Sequence, residues 1–154
     1  MLFFMVYLDC NHYNVARRET MQHDEIIALF KKMKFRATPQ RIAVFDYVSN
    51  HKTHPDVLEI YDNVLSQNPN FSKTTVYNAL KALTDKGLLM VVSIDGERIR
   101  YDADTSIHGH FRCKDCGKIY DFKVDNVNYE LPSGFIVHQK DVYYSGLCPD
   151  CSNK

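Results

Sequence analysis

Tyr101-Asp102-Ala103-Asp104-Thr105-Ser106-Ile107-His108-Gly109-His110-Phe111-Arg112-Cys113-Lys114-Asp115-Cys116-Gly117 is the stretch on which the rest of the chain hangs. Two ligand patterns lie side by side in it. Cys113 and Cys116 form a Cys-x-x-Cys knuckle, and Cys148 with Cys151 repeats it near the C-terminus. Two such knuckles close a tetrahedral zinc shell of four thiolates, the arrangement of a structural site with no open position. Gly117, just past the first knuckle, permits the tight turn it needs. His108 and His110 belong to a different chemistry. Two apart on a strand they point to one face, and Asp102 and Asp121 lie within easy chain reach. Imidazole and carboxylate donors suit iron, manganese or zinc in sites that need not be closed. The contrast yields an expectation of one soft site for folding and one harder, exchangeable site for sensing. Taken singly, a strand histidine pair and an exposed carboxylate also occur with no metal between them.

Toward the C-terminus, Lys118 to Val124 alternates as a strand, and residues 125–131 allow only a short helix before Pro132-Ser133-Gly134. Phe135-Ile136-Val137-His138 and Val142-Tyr143-Tyr144 read as further strands running into Cys148. So small a segment buries little apolar surface, and zinc is expected to supply much of its stability, about 10–16 kcal/mol in finger peptides. Its exposed Tyr, Phe, Ile and Val side chains point to a sheet completed by a second copy, hence a homodimer.

Toward the N-terminus the period changes from two to between three and four. Ile26, Ile27, Phe30 and Met33 mark a first helix from Asp24. Thr38 caps a second helix with Pro39 at its first position, and Ile42, Phe45 and Val48 form its buried stripe. His54-Pro55 opens a third, with Val57, Tyr61, Val64 and Leu65 on one face and His54 by default an ordinary N-cap. Ser72 caps a fourth, Lys73 to Lys86, ended by Gly87 as a left-handed C-cap. Its apolar stripe is Val76, Ala79, Leu80 and Leu83, while Lys73, Thr74, Tyr77, Asn78 and Lys81 face away, able to donate to phosphates or base edges. Two β-prone runs joined by Asp95-Gly96 then spell a hairpin with a type I′ turn. Helices followed by a hairpin is the winged-helix order, in which the helix before the wing enters the major groove and Arg98 or Arg100 of the wing meets the backbone. A solvated helix face on a small domain with no nucleic-acid partner is the alternative.

With 154 residues, 45% hydrophobic and 25% charged, the chain has room for one ordinary core or two small ones. Its formal net charge is zero, so no whole-chain basic signature marks a DNA partner. Four of five cysteines fall in the two knuckles, which points to a reducing compartment with metal thiolates rather than disulfides; Cys10 is left over. Met1-Leu2-Phe3-Phe4-Met5-Val6-Tyr7-Leu8 is apolar but too short to span a bilayer and has no basic start, so residues 1–20 read as an extension.

Thr38-Pro39-Gln40-Arg41, His54-Pro55, Thr74-Thr75-Val76-Tyr77, the run from His108 to Lys118 and the Cys148–Cys151 knuckle, in this order, resemble the ferric uptake regulator (Fur) superfamily. The resemblance implies an α+β chain: a winged-helix DNA-binding domain over 21–101, hinged to an α/β dimerisation domain over 102–154 that carries the four-cysteine zinc site. It implies a metal-dependent repressor rather than an enzyme, cytoplasmic and without a membrane span, whose partners are double-stranded operator DNA and a second copy of itself. The chain is similar above all to the peroxide-sensing (PerR) branch. There three His and two Asp hold regulatory iron or manganese, falling here on His54, Asp102, His108, His110 and Asp121. Uptake members usually carry Glu in place of Asp121, and His and Asp in place of Ile107 and Gly109, so a third site is expected to be absent. The resemblance implies that Fe(II) with peroxide oxidises His54 or His108 and releases DNA, whereas Mn(II) represses without sensing. It adds Arg36, Arg41 and Thr75 to the DNA-facing set, with Tyr77 toward bases and Arg36 toward the minor groove. An iron- or zinc-uptake repressor of the same family is the alternative. The stretch from Val124 to Phe135 is shorter than the family's dimerisation helix, and residues 1–20 have no counterpart in it. From other classes, a metal hydrolase would need a general base and a substrate loop beside His108, His110 and Asp102, and neither is recognisable. A zinc-stabilised interaction module is the remaining rival, which a gel shift with promoter DNA separates.

Overall fold

Thr38 and Pro39 start a helix for the reasons their chemistry supplies. The Thr38 hydroxyl accepts the Arg41 amide at 3.4 Å, and Pro39 takes the first helical position, where no amide is missed. The structure, a computed structural model, describes residues 20–94, 96, 98–125 and 130–153. The expected extension over 1–20, with Cys10, lies outside them except for Thr20. Four helices come first: α1 (His23–Lys32), α2 (Pro39–Asn50), α3 (Val57–Gln67) and α4 (Lys73–Asp85).

The apolar stripes of these helices meet in one core. Phe30 of α1 packs edge-on against Phe45 of α2 with ring centroids 5.3 Å apart. In α4 the buried residues are Val76, Ala79, Leu80 and Leu83, the stripe read from the sequence. Ser72 accepts the Thr75 amide at 3.1 Å, and Gly87 takes a φ of +71°, ending the helix with the freedom only glycine has there. The first three helices differ from expectation in detail. In α2, Val44 is buried with Phe45 and Val48, while Ile42, expected in that stripe, is only half-buried. In α1, Leu29 is buried and Ile27 faces out, because the helical period carries position 27 off the face that Ile26 and Phe30 share. The cap of α3 is Asp56, not His54: its carboxylate accepts the amides of Leu58 and Glu59 at 2.9 and 3.0 Å.

The wing follows as β1 (Met90–Val92) and β2 (Arg100–Asp102), antiparallel, with Val92 opposite Arg100. The Asp95-Gly96 turn expected between them falls partly outside the described residues, at Asp95, and it would have set Val92 opposite Ile99 rather than Arg100. Leu88 and Leu89, expected in the first strand, drop into the helical core instead. Burial of two leucines outweighs two more ladder positions.

β3 (His108–Cys113), β4 (Ile119–Lys123) and β5 (Val142–Gly146) form a separate sheet in the order β4-β3-β5, and α5 (Pro149–Ser152) closes the described chain. β4 pairs antiparallel to β3 and β5 parallel to it. The strand expected at Phe135–His138 is absent: these residues are exposed and irregular, a β-prone run with no ladder to join among the described residues. The short helix expected over 125–131 falls partly at 126–129, outside the described residues, and its flanks are not helical. Among the described residues, no helix is long and apolar enough to cross a membrane.

Candidate metal centres

β3 carries both candidate centres, one at each end. At its C-terminal end the Cys113 and Cys116 thiols meet those of Cys148 and Cys151, all four sulfurs lying within 4.8 Å of one another. Parallel pairing does this: β5 runs beside β3 with Gly146 opposite Cys113, so the chain leaves β5 directly into the second knuckle. Gly117, with φ of +72°, donates its amide to the Cys113 carbonyl at 3.0 Å and turns the first knuckle back on itself. The Cys148 amide donates to Cys113 Sγ at 3.4 Å. Backbone amides of Cys116 and Cys148 aimed at the Cys113 sulfur pull its pKa down to about 6, favouring the thiolate a metal ligand must be. Cys113, Cys148 and Cys151 are also the centre of the small apolar cluster here, with Phe111 against them.

At the other end, His108 and His110 point to one side of β3, and Asp121 of β4 lies opposite His110. Asp102, the last residue of β2, and His54, from the α2–α3 connection, complete a group whose five donor atoms all lie within 4.8 Å of one another. His54 Nε2 is 3.2 Å from Asp102 Oδ2 and 2.9 Å from Asp121 Oδ1. His108 Nε2 is 3.0 Å from Asp102 Oδ2 and 3.0 Å from His110 Nε2. Donors about 2.1 Å from one ion stand about 3.0 Å apart in an octahedral shell and about 3.4 Å in a tetrahedral one, so these spacings fit a single cation. The His108–His110 contact is informative by itself: two imidazole nitrogens at 3.0 Å have one proton at most between them, whereas a shared cation satisfies both. His54 and His110 are almost wholly buried while Asp121 is 41% exposed, which leaves the group reachable from solvent on the carboxylate side.

Electrostatics couple the group tightly. Burial drives the His54 pKa down, but hydrogen bonds to Asp102 and Asp121 outweigh it and raise the pKa to about 9. His108 is raised to about 9, first by its hydrogen bond to Asp102. Burial opposes ionisation of Asp102, yet hydrogen bonds from His108, His110 and His54 and from the Asp104 amide hold its carboxyl well below the usual range. His108 Nδ1 donates to the Ser106 carbonyl at 2.9 Å, which leaves Nε2 of the neutral ring free to ligate. Gly109, between the two histidines, faces the other side of β3 and is covered by the Phe122 ring, with which any Cβ at 109 would collide.

The expected DNA face is only partly free. Lys73, Thr74, Tyr77 and Asn78 are exposed on α4, and so is Lys81, which pairs with Asp85 at 2.7 Å. The Thr75 hydroxyl bonds that of Ser72 at 2.9 Å. Arg36 is exposed between α1 and α2, whereas Arg41 lies over the Phe35 ring and donates to the Arg36 carbonyl. The two wing arginines depart from expectation. Arg98, although 64% exposed, pairs with Asp56 at 3.1 Å, while the half-buried Arg100 turns inward and donates to the His54 carbonyl at 2.9 Å, both on the α2–α3 connection. Sequence reading missed this inward role, although an acidic cap next to a buried histidine is a signal that arginines nearby have something to bind.

Comparison with known proteins shows the family and the fold. The sequence signature described as the Ferric uptake regulator family matches residues 32–142. The peroxide-responsive repressor PerR of Staphylococcus aureus is 33% identical over 145 residues, covering 88% of this chain and 97% of that protein. Among solved structures, the Campylobacter jejuni peroxide stress regulator superposes with a TM-score of 0.61 at 25% identity, covering 81% of this chain and 98% of the other. The Helicobacter pylori ferric uptake regulator superposes with a TM-score of 0.64 at 21% identity, covering 88% and 97%.

Proposed function

Since this chain belongs to the ferric uptake regulator family, we propose that it is a peroxide-responsive, metal-dependent transcriptional repressor that binds double-stranded operator DNA as a cytoplasmic homodimer. Cys113, Cys116, Cys148 and Cys151 hold a structural zinc, and His54, Asp102, His108, His110 and Asp121 hold a regulatory Fe(II) or Mn(II). The observation that carries this reading is the convergence of His54 and Asp102, from the helical part and its wing, on His108, His110 and Asp121 of the sheet. Donors from both parts gripping one point lock a single relative orientation. That orientation lets the exposed face of α4, one per protomer, meet successive major grooves, and metal binding selects it from the others.

When bound, Fe(II) would supply the electrons that cleave peroxide, chemistry that Mn(II) lacks. His54 and His108 are the oxidisable donors: an imidazole that gains oxygen ligates poorly, so the sheet and the helical part separate and DNA is released. Asp121, a carboxylate in place of the longer Glu of uptake repressors, favours the peroxide-responsive reading. The exposed Tyr120 and Tyr144 of the sheet support a face that a second copy covers.

Anaerobically Fe(II)-loaded protein should bind operator DNA and lose it after hydrogen peroxide, with a gain of one oxygen on the peptide holding His54 or His108. The Mn(II)-loaded protein should keep its DNA. An iron form that retains DNA and gains no oxygen would identify an uptake repressor instead.

A further inference from the structure

Three consecutive residues between α2 and α3 are gripped by the returning strand of the wing. Arg100 Nη1 donates to the His54 carbonyl at 2.9 Å, and the Tyr101 amide donates to the Pro55 carbonyl at 3.1 Å. Arg98 Nη1 donates to Asp56 Oδ2 at 3.1 Å, and Asp56 and Arg100 share an isolated antiparallel bridge. The first residue of this clamp has an unusual backbone. His54 has a φ of +51°, in the left-handed region that non-glycine residues seldom enter, although the following proline steers it toward extended backbone. Neither its own preference nor its neighbour's accounts for the conformation, so the surroundings must impose it.

That imposition matters because of what the imidazole lacks. His108 is steadied by its Nδ1–H bond to the Ser106 carbonyl. His54 Nδ1 is buried and has no hydrogen-bond partner among the described residues. Ligand histidines are normally oriented by a bond at the ring nitrogen that faces away from the metal. His54 has none there: its ring is held only by the contacts of Nε2 with Asp102 and Asp121 and by edge-on packing against His110, and the backbone beneath sets the point from which it reaches them.

We propose that Arg100 is a positioning residue of the histidine–aspartate centre: by holding the His54 carbonyl it maintains the left-handed backbone that aims an imidazole without a partner at Nδ1 toward Asp102 and Asp121. This rests on the reading of those five residues as the regulatory metal site. β2 thereby acts on the centre twice, supplying Asp102 as a donor and orienting His54 from two residues earlier. Arg100 thus replaces its expected role at the DNA backbone with one inside the protein. The multiple donors of a guanidinium suit it to a carbonyl grip that a lysine reproduces only in part.

The test is Mn(II) affinity of the full-length, zinc-loaded protein, measured by competition with a metal indicator, for wild type, Arg100→Gln, Arg100→Lys and His54→Ala. Operator affinity is measured in parallel at saturating Mn(II). Arg100→Gln is expected to weaken Mn(II) binding about 10- to 100-fold, the usual loss for a group that orients a ligand. Zinc content and operator affinity at saturating Mn(II) should stay close to wild type, and Arg100→Lys should fall between. Unchanged Mn(II) affinity in both variants overturns the proposal. So does a loss of operator affinity at saturating Mn(II) with Mn(II) affinity intact and a log–log salt slope smaller by about one, which is the behaviour of a phosphate contact. Should Arg100→Gln lose zinc or helical signal, Arg100→Lys decides: weakened Mn(II) binding supports the proposal and wild-type binding overturns it. His54→Ala separates the two levels, because Mn(II) bound by it as tightly as by wild type overturns the five-residue site itself.

Discussion

Cys113→Ser is expected to unfold one part of the chain and leave the other standing. Beyond Tyr101, the buried apolar residues among those described are Cys113, Cys148 and Cys151, with Phe111 partly buried against them. The thiolate cluster is therefore the core of the sheet. Structural zinc contributes about 10–16 kcal/mol in finger peptides, against about 5–15 kcal/mol for the net stability of a whole domain. Full burial of one Phe side chain is worth only about 1.5–3 kcal/mol and cannot replace it. A serine hydroxyl stays protonated at neutral pH and ligates weakly, so loss of one thiolate removes enough of that sum to release residues 104–153. The helical core, built from α1 to α4 with Leu88, Leu89 and Tyr101, does not depend on it. Zinc content, far-UV circular dichroism and limited proteolysis read by mass spectrometry form the assay. Zinc should be lost, helical signal retained, and new cleavages confined to the region after residue 103. Because β3 also carries His108 and His110, Mn(II) binding should disappear with the zinc. A zinc-free Cys113→Ser protein that resists protease after residue 103 and binds Mn(II) normally would refute this account of what holds the sheet.

Substitutions at the other end of β3 should behave in the opposite way. His54→Ala and Asp102→Ala are expected to keep zinc and helical content but to lose Mn(II)-dependent operator binding in a gel shift. Proton linkage gives a second test. His54 and His108 have folded-state pKa values raised from 6.5 to about 9, so in the metal-free protein their ion pairs stabilise fully below pH 6.5 and fade as pH rises through 9. Metal must expel the same protons, so Mn(II) affinity should climb over that window. Calorimetry in buffers of different ionisation enthalpy should find more than about one proton released per ion near neutral pH and almost none well above the raised histidine values. Tyr77→Ala, at an exposed position on α4, should weaken operator binding by about 1–3 kcal/mol in fluorescence anisotropy, with the affinity for both metals unchanged.

Features settled within a few residues of themselves are legible in the chain. The Ser72 cap, the α4 stripe and the left-handed Gly87 all lie within one helix, so period and capping chemistry suffice. Failures occur where a distant partner decides. The first wing strand begins only at Met90 because Leu88 and Leu89 are claimed by the helical core. Phe135 to His138 has the composition of a strand, but propensity says how a run fits a ladder, not whether one is there. Arg100 has the charge to meet phosphate, and the His54 carbonyl meets it first.

Spacing along the chain by itself determined the helices, the Thr38 and Ser72 caps, the two cysteine knuckles, and the placement of His108 and His110 on one side of a strand. Each follows from a fixed backbone repeat over three or four residues. Resemblance to a family, not spacing, linked His54 to those histidines. Only the tertiary structure decided that His54 meets Asp102 across 48 positions, that β5 lies parallel to β3 so Cys148 reaches Cys113, and that Arg100 turns inward. Those outcomes depend on which remote surfaces pack together, and a local repeat carries no record of them.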